Sequence, residues 1–420
     1  MAIDEINSSD DLLMSVHNAA VISPAVLVHV HSMEIWMLHY GRVLLVSFRD
    51  AAAVNFAALV TIYITQSREL RNLLRKELPR IVHLAEARLS FMRFRLLSPP
   101  IIGMKECTIF ASPGLLNFQG GVFNPGAILH DGQIIVCAKA QEMHWSHAIK
   151  SKQFEFYMRG KPILMEFDKD LRVRSACEVE TVKHLPASED IGIEDFRMFE
   201  FHGKIYINHS MCYKRLGGGY SRATQCLSSL DVKKKEITYL GEPDVDFEVS
   251  AMEKNWSYFK HESELYLLFS FSPYVLLKAS QWPKLSFETV IRRELDTHQF
   301  QEAMFPTFLS LSTNPIDYDS DHLLVIVHKF VIIEHRTYSH WAVLIDKKSL
   351  LPVKVSSRPL ISGGKGRGML PGIIYTTAAV EWGDSVIFFN GESDLHCSYA
   401  KIAKSRLDAS WVDLALSGKS

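Results

Sequence analysis

The sequence predicts an all-β chain, a five-bladed β-propeller preceded by an N-terminal mixed or helical extension. Three observations predict it. Beyond Ser98-Pro99-Pro100 helical periodicity nearly disappears, and short alternating strands separated by turns take over. Tight-turn signals then recur about every 60 to 70 residues, each followed by a similar strand. Polar residues stand at one fixed offset before three consecutive turns. Five such units favour radial repetition. A tandem of β-sandwiches is the alternative, and it leaves the even spacing unexplained.

The extension spans residues 1–97. Val21 to Val30 and Glu34 to Phe48 are apolar, with His29, His31 and His39 among them, and no Cys or carboxylate cluster completes a metal-ligand set. Arg68 to Arg95 reads as one or two basic amphipathic helices interrupted at Pro79. Such a segment either packs on its own domain or makes peripheral contact with an anionic membrane. The uncharged run Ala51 to Ser67 is short and polar for a membrane span. The N-terminus lacks a basic-then-apolar signal, and the six cysteines form no Cys-x-x-Cys pair. Both point to a reducing, cytoplasmic setting. A net charge of −1 gives no field that would draw nucleic acid. The sequence leaves the oligomeric state open.

The propeller is expected over residues 98–406, with 407–420 as a C-terminal tail. Its turns fall at Asp131-Gly132, His202-Gly203, His261-Glu262-Ser263, Ser320-Asp321 and Gly383-Asp384. The strands after them are Gln133 to Ala140, Lys204 to His209, Glu264 to Phe271, His322 to Lys329 and Ser385 to Asn390. Eight residues before the turn, the first unit has Asn124, the second Asp195 and the third Asn255 beside Lys254. Equivalent positions on innermost strands converge on one axis, so these groups are expected to share a pocket; polar caps on blade ends would give the same pattern. The fourth unit adds His328, and the last adds Arg367 and then Asn390, Glu392 and Asp394.

The second unit carries the chemistry. Glu194 and Asp195 are adjacent carboxylates with Arg197 two residues on. An Asp near an Arg ionises readily, while a neighbouring Glu pushes one proton back on. That tension is how a site keeps one carboxyl as a proton donor near neutral pH. Trp256 or Tyr258 could stack on a sugar face, although a blade core is the commoner place for either alone. No Gly-rich phosphate loop is present, because Gly217-Gly218-Gly219 lacks the following Lys-Ser/Thr; no metal or nucleotide cofactor is expected.

The Asn124-Pro125-Gly126 stretch, the Gly192-x-Glu194-Asp195-x-Arg197 strand, the Lys254 strand and a late Pro371-Gly372 before Asn390-Gly391 resemble the β-mannoside phosphorylase and hydrolase family and its related β-1,2-mannosyltransferases. The similarity covers about residues 105 to 405. It implies a five-bladed propeller, Asp195 as general acid, and Arg197 and Lys254 as binders of phosphate or sugar. Inorganic phosphate or an activated sugar donor would be the co-substrate. Three departures stand out: Phe196 replaces the Pro of the family's Glu-Asp-Pro-Arg motif, Lys139 replaces a Tyr-Arg pair, and Asn390 stands where phosphorylases have His. A Lys offers a point charge where Arg offers a bidentate fork, so these changes favour mannosyl transfer over phosphorolysis. A glycan-binding propeller without catalysis, and an arabinanase-like hydrolase using Glu392 or Asp394, are the other readings.

Overall fold

A computed structural model describes residues 26–29, 34–39, 42–47, 99–143, 160–182, 191–214, 220–296, 300, 309–332, 336–363 and 373–414. The chain falls into two compact units, Met1–Leu89 and Ser90–Ser420. In the first unit the described residues form an antiparallel meander of Val26–His29, Glu34–His39 and Arg42–Ser47. The helices expected over 68–95 lie outside the described residues, as does the run Ala51 to Ser67. Among the described residues no helix is long and apolar enough to cross a membrane.

The second unit is built of five antiparallel meanders. The innermost strands are Val122–His130, Ile191–Phe201, Ser257–His261, the short pair Ser310–Leu311 with Ile316–Asp317, and Ile374–Trp382. Each leads through a turn into its second strand. At Asp131, His202 and Glu262 the turns take positive φ, and Gly132 and Gly203 follow with positive φ, the conformation two-residue hairpins need.

Five apolar clusters fill the five seams between neighbouring blades. Ile135 and Leu164 meet Phe196 and Ile207; Phe199 and Tyr206 meet Tyr258 and Leu267. Phe271 and Leu276 meet Val325 and Trp341; Leu324 and Ala342 meet Phe388 and Ala400. Phe389 and Val380 then meet Val136 and Met165 of the first blade. The blades therefore close into a ring, a five-bladed propeller, as the turn spacing predicts. The last sheet is completed by Thr108–Ala111, which pairs antiparallel with His396–Ala403.

One boundary is corrected. Residues 407–420 are not simply a tail: Lys404–Asp408 is a short helix with Leu407 buried, and Trp411–Asp413 pairs with Pro352–Ser356 as the outer strand of the fourth blade. An apolar Leu407 and Leu414 spaced around that strand explain why it docks.

Candidate active site

Asn124, Asp195 and Asn255 share an unusual backbone, with φ of 51°, 62° and 67°. Asn and Asp tolerate this left-handed region better than other side chains that have a Cβ. In the first two blades the pairing register slips there, between Phe123 and Gly126 and between Glu194 and Arg197. Each slip is a β-bulge, which re-aims a side chain out of the sheet's alternation. The bulges nest: a Cβ on Gly126 would lie 2.7 Å from the Phe196 carbonyl oxygen, so only glycine lets the two inner strands approach. Phe196, in place of the family's proline, forms its bulge with the ring buried in the seam between the first and second blades.

The bulges bring Asn124 and Asp195 together. Asn124 Nδ2 donates to Asp195 Oδ1 at 2.7 Å, and both residues are buried. The two carboxyls of the Glu194-Asp195 pair have opposite surroundings. Burial alone would raise Glu194, but Lys139 Nζ at 3.6 Å and the ammonium of Lys254, which hydrogen-bonds Oε1, outweigh it and hold Glu194 down at about 2. Cys212 Sγ also donates to Glu194 Oε1 at 3.3 Å. Asp195 is pushed above the usual carboxylate range, by burial first and then by the charge of Glu194, and the nearby cations offset this only in part. One site thus holds one carboxylate firmly ionised and one carboxyl inclined to keep its proton.

Arg197 is fully buried on the axis. Its Nε donates to the Ser312 carbonyl at 2.6 Å, Nη1 to the Asp195 carbonyl at 3.2 Å, and Nη2 to Asn255 Oδ1 at 3.0 Å and Tyr375 Oη at 2.7 Å. It therefore ties together the second, third, fourth and fifth blades. Past it, toward the opposite end of the axis, lies a cavity of about 340 Å³, with Arg197, Asn314, Glu200 and Thr377 among its lining residues. His328 sits behind this group, its ring 5.0 Å from that of Tyr375 and its Nδ1 hydrogen-bonded with Ser312 Oγ at 2.8 Å. Burial, then His340 and Arg197, push its pKa well below the ordinary histidine value, so it is neutral.

The structure brings together Asn124, Lys139, Glu194, Asp195, Arg197, Lys254 and Asn255. Five further expectations are placed differently. Trp256 is 3% exposed in the seam of the second and third blades, its ring 4.8 Å from Phe269, and Tyr258 is buried in the same cluster. Both belong to the core, because the left-handed turn at Asn255 swings the following side chain inward. Asn390 is buried and accepts from Thr376 Oγ1 at 2.7 Å. Glu392 is likewise buried, and its carboxylate has no hydrogen-bond partner among the described residues. Asp394 lies beside the first blade, its carbonyl oxygen 2.2 Å from where a Cβ on Gly121 would sit. Arg367 lies outside the described residues. Tyr375 and Ser312 were not expected in the site. Tyr375 had a signal, standing eight residues before Gly383 as Asn124 does before Gly132. Ser312 gave none, since it contributes a backbone carbonyl.

The profile of the β-1,4-mannooligosaccharide phosphorylase family, glycoside hydrolase family 130, matches residues 117–409. No curated protein matches the sequence. One similar solved structure represents the family-130 mannoside phosphorylases, a family containing glycoside hydrolases that target β-1,2-mannosidic linkages in Candida mannan. It is 13% identical over 73% of this chain and 92% of its own, with a TM-score of 0.51. A glycosyl hydrolase from Bacteroides ovatus is 11% identical over 76% of this chain and 95% of its own, with a TM-score of 0.50. At such identities the shared fold is what these two establish. The family profile covers more than two thirds of the chain, from the first blade through the last, and the motifs around Asn124, Asp195 and Lys254 lie inside it. The chain belongs to the β-1,4-mannooligosaccharide phosphorylase family of carbohydrate-active enzymes.

Proposed function

We propose that this protein transfers a mannosyl group from a β-mannoside by a single inverting displacement, with Asp195 as the general acid. The observation that carries the reading is the split between two adjacent carboxyls. Asn124 occupies Asp195 Oδ1, which leaves Oδ2 to carry the proton toward a substrate, while Glu194 is held ionised by Lys139 and Lys254. Asp195 Oδ2 would give its proton to the bridging oxygen, directly or through a sugar hydroxyl, as the C1–O bond breaks. The attacking oxygen forms the new bond from the opposite face, so a β-mannoside yields an α-configured product. Asp195 is left ionised and regains a proton from solvent; phosphate attacks through an ionised oxygen, whereas an attacking sugar hydroxyl gives up its own proton to solvent as the new bond forms.

The attacking group is inorganic phosphate or the hydroxyl of a second sugar. Arg197 has its Nε and Nη2 donors committed within the protein and does not offer the bidentate fork that planar anions favour. Lys254 and Lys139 lie against Glu194, which already offsets part of their charge. Both observations favour an acceptor hydroxyl. Incubation with β-mannobioses, with and without phosphate, and separately with α-mannose 1-phosphate and oligomannoside acceptors, tests the reading. Turnover in either direction that vanishes in Asp195→Asn supports it. Silence with every pair, or full activity in Asp195→Asn, overturns it.

A further inference from the structure

Asn255 enters the site from the third blade, and the bonds it makes decide which way its amide faces. Its Oδ1 accepts from Arg197 Nη2 at 3.0 Å and from Tyr375 Oη at 2.7 Å. A guanidinium can only donate, so the Asn255 atom facing Arg197 has to be the carbonyl oxygen. The phenol oxygen accepts from the same Nη2 at 2.7 Å, and its single hydrogen goes to Asn255. Arg197, Asn255 and Tyr375 thus form a closed triangle drawn from three blades. The Asn255 Nδ2 amide is turned away from it, with two N–H donors and no protein acceptor among the described residues. The residue is half-buried, and its backbone takes positive φ at the position equivalent to that of Asp195.

We propose that Asn255 Nδ2 donates a hydrogen bond to a hydroxyl of the mannoside bound against Asp195, and that Tyr375 is the positioning residue that locks the amide in this orientation. The inference rests on the reading that Asp195 acts on a β-mannoside. Its logic is that of polar recognition in a buried site. A donor already held in place loses little on binding, and a substrate lacking the matching hydroxyl leaves that donor unpaired.

Asn255→Asp separates this role from a purely structural one. Aspartate tolerates the same positive φ and keeps an acceptor for Arg197 and Tyr375, but it replaces the outward donors with an acceptor oxygen. Calorimetric binding of β-mannobiose and its monodeoxy analogues is measured on the full chain, alongside KM, kcat and thermal midpoint. We expect at least a tenfold weaker affinity and a matching rise in KM, with an unchanged or higher midpoint. That penalty should disappear for the one deoxy analogue that lacks the bonded hydroxyl. Tyr375→Phe should raise KM several-fold at nearly unchanged kcat, because the amide is freed to rotate. Wild-type affinity in Asn255→Asp, or a penalty equal for every analogue, overturns the proposal. Should Asn255→Asp not fold, a wild-type KM in Tyr375→Phe overturns it. Asp195→Asn, run in parallel, reports separately on the acid: full turnover there with a weakened Asn255→Asp removes the catalytic reading and keeps this one.

Discussion

Asn124 and Asp195 occupy equivalent bulges on the inner strands of adjacent blades, and the Asn124 amide donates to Asp195 Oδ1 at 2.7 Å. Two residues that lie 71 apart in sequence thereby set which oxygen of the acid is bound and which is left for substrate.

The first consequence concerns Asp195→Asn. The amide keeps the bond from Asn124 but carries no proton to give. General acid catalysis is worth roughly 10²–10⁴ in rate, so kcat should fall by at least that lower factor with little change in KM. Stability should move the other way. A carboxyl whose folded pKa is raised binds its proton more tightly in the native state, so its contribution falls as pH rises through the interval between unfolded and folded values. Removing it should raise the thermal midpoint at pH 7, with the gain shrinking toward pH 3. A lower midpoint at pH 7 would mean that the carboxylate is a structural partner.

Glu194→Gln tests the counter-ion. Lys139 is almost wholly buried and depends on Glu194 for compensation. Leaving a buried ammonium unpaired costs about 3–5 kcal/mol, so the midpoint should drop sharply. In whatever fraction folds, the loss of a neighbouring negative charge lowers the Asp195 pKa, and the alkaline limb of the pH–rate profile should shift to lower pH. An unmoved limb would show that the two carboxyls do not influence each other.

Gly391→Ala should damage the site without touching a charged group. A Cβ there would stand 2.5 Å from Asn124 Oδ1 and 2.8 Å from its backbone nitrogen. Overpacking of this kind costs about 1–3 kcal/mol, and the displaced amide would release Asp195 Oδ1. Turnover should fall more than stability does, as read from kcat beside the denaturation midpoint.

Acid sensitivity should begin near pH 6.5. Burial holds His209 at about 4 and His340 at about 3, so both are neutral in the fold yet protonate when it opens. A depressed base lends stability above its unfolded pKa and loses it as pH falls toward the folded value. For His209 the loss amounts to about 3 kcal/mol between pH 6.5 and 4. The fold should therefore weaken progressively below pH 6.5, and His209→Gln should flatten that slope in urea titrations.

Deleting residues 1–95 should leave turnover on a soluble substrate largely intact. The cut has to stop there, because the backbone N–H groups of Ile101 and Ile102 donate to Pro359 and Leu360. A folded truncation with no activity would assign the first unit a role in the site.

The turn spacing and the polar offsets made the ring and three of its left-handed positions legible, because hairpin chemistry and the tolerance of Asn and Asp for positive φ are local properties. What the sequence hid is what depends on distant partners. Glu194 reads as a second candidate acid until Lys139 and Lys254 arrive from other blades. Arg197 reads as an anion binder, yet its fork is occupied by Ser312, Asn255 and Tyr375. Trp256 fits a sugar platform and a blade core equally well by composition, and only the backbone at Asn255 decides between them.

The closing strand Thr108–Ala111 lies almost the whole length of the propeller away in sequence from its partner His396–Ala403. During synthesis the first four blades emerge while the seam that will join the last blade to the first is still open. Val136, Met165 and Phe167 wait there without their neighbours Val380 and Phe389. Contacts of such long range form slowly and leave apolar surface exposed in the meantime. The nascent chain should depend on chaperones until the strands from Ile374–Trp382 to His396–Ala403 have emerged. Tyr375 arrives with those last strands, so the Arg197 triangle is completed only when the ring shuts, and an unfinished chain has no assembled site.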